Sequence, residues 1–251
     1  MIEKRWPWYV SGILLIAAGI AAGIATYLWW LPCRGQMLLG SRLELLGSTL
    51  GLLSPSTDFT DACLATTDFA MSTSDVPGVI ELKAAGILLA GLAWLIVVCG
   101  LAGTRRVRRL ALPLGVALPI YAVVTLQWGS SLDILTMVAA ALVDVMALLA
   151  LVAVYFWQPR EWAWPLTGLL AVWGAGSPGL VRSFVDWVLM LSWNDSGLDV
   201  PPGTGYSLAA APVIAGVLII ALTVAGARRS QRATLSAATS AQQVEQVDAV
   251  A

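Results

Sequence analysis

Two cysteines are the first residues whose type and spacing could do chemistry. Cys33 and Cys63 lie in one long segment between two strongly apolar stretches. In an oxidising compartment, two cysteines in one loop most simply form a disulfide. Closing a loop of about thirty residues gives a stabilisation of roughly 3 to 4 kcal/mol in the chain-entropy treatment. The sequence therefore predicts a structural disulfide between Cys33 and Cys63, with free or catalytic thiols as the alternative.

Electron transfer through this cysteine pair is disfavoured. Membrane thiol oxidoreductases that deliver electrons to a quinone pass them from an outer cysteine pair to a second pair by disulfide exchange. This sequence contains no CxxC motif, and its third cysteine, Cys99, stands alone in a different apolar stretch. A relay would lack its second pair, so a structural disulfide is the preferred interpretation.

Three charged residues stand within or beside apolar stretches. Asp144 lies near the middle of AAALVDVMALLAL, where an ionised acid costs roughly 2.5 to 3.5 kcal/mol on insertion scales. It could be an intramembrane proton or ion site, or a hydrogen-bonded structural aspartate. The second interpretation is preferred, because the apolar stretches offer no second midplane ionisable group to continue a relay.

Arg182 and Asp186 follow the sequence GAGSPG, which favours a helix break. Broken helices mark substrate sites in many secondary transporters, usually within two related halves. Only weak correspondence links the two halves of this chain, so a kinked helix ending in an interfacial ion pair explains the pattern as well. Arg182 and Asp186 are also possible contacts for a lipid or a partner protein.

The segment after Cys33 predicts an amphipathic surface helix. Leucine pairs recur every seven residues in QMLLGSRLELLGSTLGLLSPS, which places them along one helical stripe before a Ser-Pro stop. Arg42 falls within that stripe, where it must extend to the interface or contact an anionic lipid or a partner. The acids later in this segment do not have the spacing of a calcium-binding loop.

Several classes of chemistry are excluded by what the sequence lacks. It has no histidine, which removes histidine metal sites, haem ligation by histidine and Ser-His-Asp hydrolysis. It has no Walker motif, dinucleotide-binding loop or nucleophile elbow. We therefore expect no enzymatic activity, no cofactor, no metal and no nucleic-acid partner.

The elements that must hold these residues are membrane-spanning helices. The chain has 251 residues, of which 59% are hydrophobic and 12% charged, and its mean hydropathy is +0.82. Soluble domains carry about a quarter charged residues. Six stretches are long and apolar enough to cross a bilayer: 8–31, 84–104, 110–128, 134–157, 165–184 and 207–227. The predicted fold is an all-α integral membrane protein with a six-helix domain over 1–227.

Charge distribution gives this bundle a direction. Most of the 14 Lys and Arg residues fall outside loop 32–83, at both ends of the chain and in the connections around 105–109 and 160. The positive-inside rule then places both termini in the cytoplasm and loop 32–83 outside a plasma membrane. Residues 228–251 are polar and small, which predicts a disordered cytoplasmic tail.

Two functions are consistent with this sequence. The preferred one is a non-enzymatic accessory, assembly or scaffold protein of the cell envelope, which contacts the lipid bilayer and binds a membrane or envelope protein through its extracytoplasmic loop. The alternative is a small permease, or the membrane subunit of a transporter, that uses Asp144 and the broken fifth span. The oligomeric state does not follow from the sequence.

Overall fold

The computed structural model describes residues 6–33, 78–100, 105–128, 134–157, 163–193 and 204–248. Within these ranges every regular element is a helix and there is no strand, which confirms the predicted all-α class. The elements in chain order are α1 (Trp6–Trp29), a 3-10 turn (Leu31–Cys33), α2 (Val79–Gly100), α3 (Arg105–Trp128), α4 (Ile134–Trp157), α5 (Ala163–Ala175), α6 (Leu180–Trp193) and α7 (Tyr206–Asp248).

Five of these helices are long and apolar enough to cross a membrane. They are α1, α2, α3, α4 and the part of α7 from Tyr206 to Arg228. Their bounds agree with five of the predicted spans to within a few residues. The starts differ most in α2 and α3, which begin at Val79 and Arg105, whereas the predicted spans begin at Ala84 and Leu110. Helix α2 therefore includes Lys83.

The predicted span 165–184 is divided in the structure. Helix α5 ends at Ala175, and α6 begins at Leu180 after a turn that contains two glycines and Pro178. Proline lacks an amide hydrogen and glycine weakens a helix, so this turn interrupts the backbone hydrogen bonds. Each half-helix is about 20 Å long, which is shorter than the hydrocarbon core of about 30 Å. Neither half can span the bilayer alone.

Helix α1 packs against both α2 and α7. Its approach to α7 depends on glycines: a Cβ added at Gly12 would lie 2.9 Å from the carbonyl oxygen of Gly216, and one at Gly19 would lie 2.6 Å from that of Ala209. Gly19 is the first residue of a GxxxG motif, Gly19-x-x-x-Gly23, and it packs closely as that motif requires. Gly23, the second glycine of that motif, has only ordinary contact with α7. Gly12 and Gly19, which are seven residues apart, form the close interface with α7.

The other helices extend the core around this pair. Helix α2 packs against α3, α3 against α4, and α5 against α7. The fully buried Trp94 donates its indole N–H to the carbonyl oxygen of Ala111 at 2.7 Å, which fixes α2 against α3. Large apolar side chains on the opposite faces stay exposed, including Ile134 at 76% and Leu148 at 63%. Such an apolar exterior is appropriate for a membrane-embedded bundle.

Helix α7 continues to Asp248 and includes most of residues 228–251, for which the sequence predicts disorder. This segment is rich in Ala, Gln and Arg, which are good helix formers. The predicted amphipathic segment, Arg42 and Cys63 all lie outside the described residues. The disulfide between Cys33 and Cys63 therefore stays a prediction.

Candidate functional site

The helix break is held by an acid from a neighbouring helix. The Asp144 carboxylate of α4 accepts a hydrogen bond from the amide of Val181 at 2.8 Å and a second from the amide of Leu180. These are the first amides of α6, which have no partner inside that helix. Gly179 occupies the N-cap position and has no side chain to satisfy them. Asp144, a residue of α4, therefore caps the N-terminus of α6 in place of a side chain of α6 itself.

Gly179 is required by this cap. A Cβ added there would lie 2.8 Å from the carboxyl carbon of Asp144 and would overlap its Oδ1. The glycine thus has a packing role beyond weakening the helix. Any side chain at this position must displace the carboxylate from the amides of α6.

A cation lies at the C-terminal end of the other half-helix, α5. Arg182 of α6 folds back over the break and donates from a guanidinium nitrogen to the carbonyl oxygen of Trp173, in the last turn of α5. Its guanidinium carbon lies 4.7 Å from the centre of the Trp173 ring, a cation–π contact. Arg182 therefore satisfies a carbonyl that the end of α5 leaves exposed.

The two charges match the dipoles of the broken helix. The N-terminus of a helix carries partial positive charge and favours an acid, while the C-terminus favours a cation. Asp144 lies at the N-terminus of α6 and Arg182 at the C-terminus of α5, and the two attract each other across the turn. The charges thus stabilise a break that would otherwise expose backbone groups in an apolar medium.

Asp186 caps a third helix. Its carboxylate accepts hydrogen bonds from the amide of Gly205, at 2.5 Å, and from the hydroxyl of Ser207, both at the start of α7. Asp186 is 1% exposed. Gly205 has a φ of +104°, a conformation that L side chains rarely adopt, and its Cα faces Thr26 of α1. Asp186 therefore joins α6 to α7 where α7 also approaches α1.

A cavity of about 450 Å³ lies beside this cluster. It is found where α1 ends and α2 and α7 begin. We name it the loop-end cavity because, in the sequence, segment 34–77 lies between the end of α1 and the start of α2. Its wall is mostly apolar and includes Trp29, Phe184 and Trp187. Lys83 also lines it, and no acidic side chain of the described residues does.

Two polar features of the cavity wall are relevant to binding. The turn residues Ser177 and Pro178 line it, so the helix break borders the cavity. Thr136 of α4 also lines it, and its hydroxyl is buried without a hydrogen-bond partner among the described residues. A buried hydroxyl without a partner is unusual and calls for an explanation.

The structure brings some of the predicted site residues together. Asp144 and Arg182 meet at the break, and Asp186 lies one helical turn further along α6, against α7. Arg182 and Asp186 have different partners, Trp173 in one case and Gly205 with Ser207 in the other. Cys33 is in the 3-10 turn after α1, and its side chain lies outside the described set, as do Arg42 and Cys63.

Sequence reasoning did not identify Lys83 or Thr136 as site residues. Lys83 was an outer charge at the edge of a span, and Thr136 a polar residue within one. The available signal for Lys83 was that it follows Glu81 in a segment that continues α2 without a breaker. No local signal distinguishes Thr136, because its burial depends on helices distant in sequence.

Within the described residues, no group of three or more cysteine or acidic side chains could hold a metal ion. No protein family matches the sequence, and no curated protein or solved structure shows significant similarity to it.

Proposed function

We propose that this protein is a non-enzymatic accessory, assembly or scaffold component of the cell envelope that binds a membrane or envelope protein through loop 32–83. In this proposal α5 and α6 together make a sixth crossing. Both termini then lie in the cytoplasm, and the loop lies outside the plasma membrane. The bundle serves as a rigid base for that loop.

The observation that carries this proposal is the hydrogen bonding of Asp144. Its carboxylate accepts a hydrogen bond from the amide of Val181 at 2.8 Å, so it serves as the acceptor that the first turn of α6 needs. Asp186 is likewise engaged at the start of α7. Both acids are used as helix caps, which supports a structural bundle.

The start of the loop is also fixed to the bundle. Trp30 is 1% exposed, and its indole N–H donates to the carbonyl oxygen of Thr204 at 2.9 Å. Trp30 also stacks on Trp29, with the ring centres 4.9 Å apart. The chain therefore leaves α1 from a defined position against the start of α7. A rigid exit reduces the entropy lost when a loop binds a partner.

A small permease, or the membrane subunit of a transporter, is the second candidate. The observation in its favour is that Ser177 and Pro178, in the break of the helix, line the loop-end cavity. A broken helix beside a cavity is the usual arrangement at transporter substrate sites. This candidate requires Asp144 to take part in transport, because it is the acid at the break.

Affinity purification from native membranes separates the two functions. We expect a partner chain to co-purify with the wild type and with Asp144→Asn, since the asparagine side-chain oxygen can still cap α6. Cys33→Ser and Cys63→Ser should each reduce recovery of that chain, because they open the predicted disulfide. Purification without thiol reductants keeps the disulfide intact.

The matching test of the permease uses purified protein in liposomes. A proton-dependent flux that Asp144→Asn abolishes, in protein that remains folded by circular dichroism, would refute the accessory function. Loss of the partner with Asp144→Asn and retention with both cysteine variants would refute it as well.

A further inference from the structure

We infer that the loop-end cavity binds a membrane lipid with an anionic head group, with Lys83 providing the positive charge. This inference is independent of the proposed partner of loop 32–83. It depends only on the wall of the cavity and its place in the bundle.

The charge of the wall determines the sign of the ligand. Lys83 lines the cavity in the second turn of α2, and no acidic side chain of the described residues faces it there. An ammonium group in an apolar bundle is costly unless an opposite charge accompanies it. An anionic head group provides that charge, whereas a cationic or neutral ligand does not.

The rest of the wall determines the class of the ligand. A volume of about 450 Å³ lies within the range of about 300 to 1,000 Å³ that is usual for small-molecule sites. Most of the lining is apolar, with alanines from α1 and α2 and the aromatic rings of Phe184 and Trp187. Such a wall suits an acyl or other hydrocarbon chain. A free inorganic anion would make no contact with the apolar part of the wall.

Photocrosslinking in nanodiscs tests this inference. The probes are phosphatidylglycerol and phosphatidylcholine carrying the same photoactivatable acyl chain, each added at low mole fraction to phosphatidylcholine discs with the full-length protein. Labelled peptides are located and counted by mass spectrometry. We expect the anionic probe to label the cavity wall near the buried residues Ile87 and Ala140 about tenfold more than the neutral probe. Exposed Leu148 should react with both probes equally.

Three variants separate a binding role from a structural one. Lys83→Gln should abolish the preference for the anionic probe, while Lys83→Arg should keep it because the charge remains. Thr136→Val is the matched control in the cavity wall: it preserves the shape of the side chain and should leave anionic labelling unchanged, because the Thr136 oxygen is not accessible from the cavity. Because Thr136 donates to no described group, this valine variant should be no less stable than the wild type. Circular dichroism and gel filtration establish that each variant is folded.

Several results would overturn the inference. Equal labelling of the cavity by both probes in the wild type would do so, as would unchanged labelling in Lys83→Gln. If excess inorganic phosphate removes the anionic label, the ligand is a free anion and the lipid assignment is wrong. If neither lipid labels the wall and residues 34–77 crosslink to it, the loop fills the cavity and no lipid binds there.

Discussion

Replacing Asp144 tests whether this acid is a helix cap. In Asp144→Ala the amides of Leu180 and Val181 lose their acceptor. Loss of a cap costs typically about 1 kcal/mol, and loss of the charge at a helix N-terminus adds about 0.3 to 1 kcal/mol. Hydrogen bonds between membrane helices average about 0.6 kcal/mol, which sets a lower bound. We therefore expect the free energy of unfolding to fall by about 1 to 2 kcal/mol.

The asparagine variant separates the cap from the charge. Asp144→Asn keeps a side-chain oxygen that can accept the same amides, so only the charge is lost. We expect this variant to lose less than about 1 kcal/mol, because the interaction of one charge with a helix dipole has that size. The two variants should therefore differ in stability while sharing the loss of the ionisable group.

Reversible unfolding in mixed micelles, with increasing sodium dodecyl sulfate and circular dichroism as the readout, measures these differences. A double-mutant cycle with Gly179→Ala adds a direct test of contact. Since a Cβ at Gly179 displaces the carboxylate, Asp144→Ala should cost much less in that background than in the wild type. Full stability of Asp144→Ala would refute the cap, and additive effects of the two substitutions would refute the contact.

Further predictions concern the break, the α1–α7 interface and the loop. Gly179→Ala alone should lower the free energy of unfolding by about 1 kcal/mol or more, because it displaces the capping carboxylate; an unchanged denaturation midpoint would contradict this. Arg182→Gln should lower the thermal unfolding temperature more than Arg182→Lys, since lysine retains the cation at the end of α5; equal temperatures would oppose this role. Gly216→Leu should separate α1 from α7 and destabilise the fold by 2 kcal/mol or more, on the order of a severe packing defect; wild-type stability would show that these helices are further apart. Under denaturing conditions, Cys33 and Cys63 should react with maleimide-polyethylene glycol only after reduction; labelling without reductant would exclude the disulfide.

The spanning helices could be predicted from the sequence because their signal is local. A run of about twenty apolar residues is sufficient to indicate a crossing, whatever the rest of the chain does. The predicted span at 134–157 has the same bounds as α4. The predicted start of α2 was too late, since Glu81 and Lys83 interrupt the apolar run without interrupting the helix.

The helix break was also predictable, but its partners were not. The glycines and Pro178 indicate a weak point in any helix. That Asp144 caps one side and Arg182 the other depends on how α4 packs against α5 and α6. The sequence suggested an ion pair between Arg182 and Asp186 because they are four residues apart. The structure gives each a partner on another helix instead.

The loop-end cavity could not be predicted from the sequence at all. Its wall includes residues from α1, α2, α3, α4, α6 and α7, with the turn before α6. A cavity is a property of the packed bundle, so no pattern within one helix indicates it. Lys83 is a candidate binding residue only because it lines this cavity.

Site-specific photocrosslinking in cells most directly tests the claim that the loop binds a partner. A photoreactive residue is placed at Arg42, in the predicted amphipathic segment, and at Leu148 as the control, since that side chain is 63% exposed on an apolar helix face. We predict a discrete crosslinked protein species from the position of Arg42, and none from that of Leu148. If the Arg42 position yields only lipid adducts, or the same products as Leu148, the loop does not dock a partner protein there and the proposed function is contradicted.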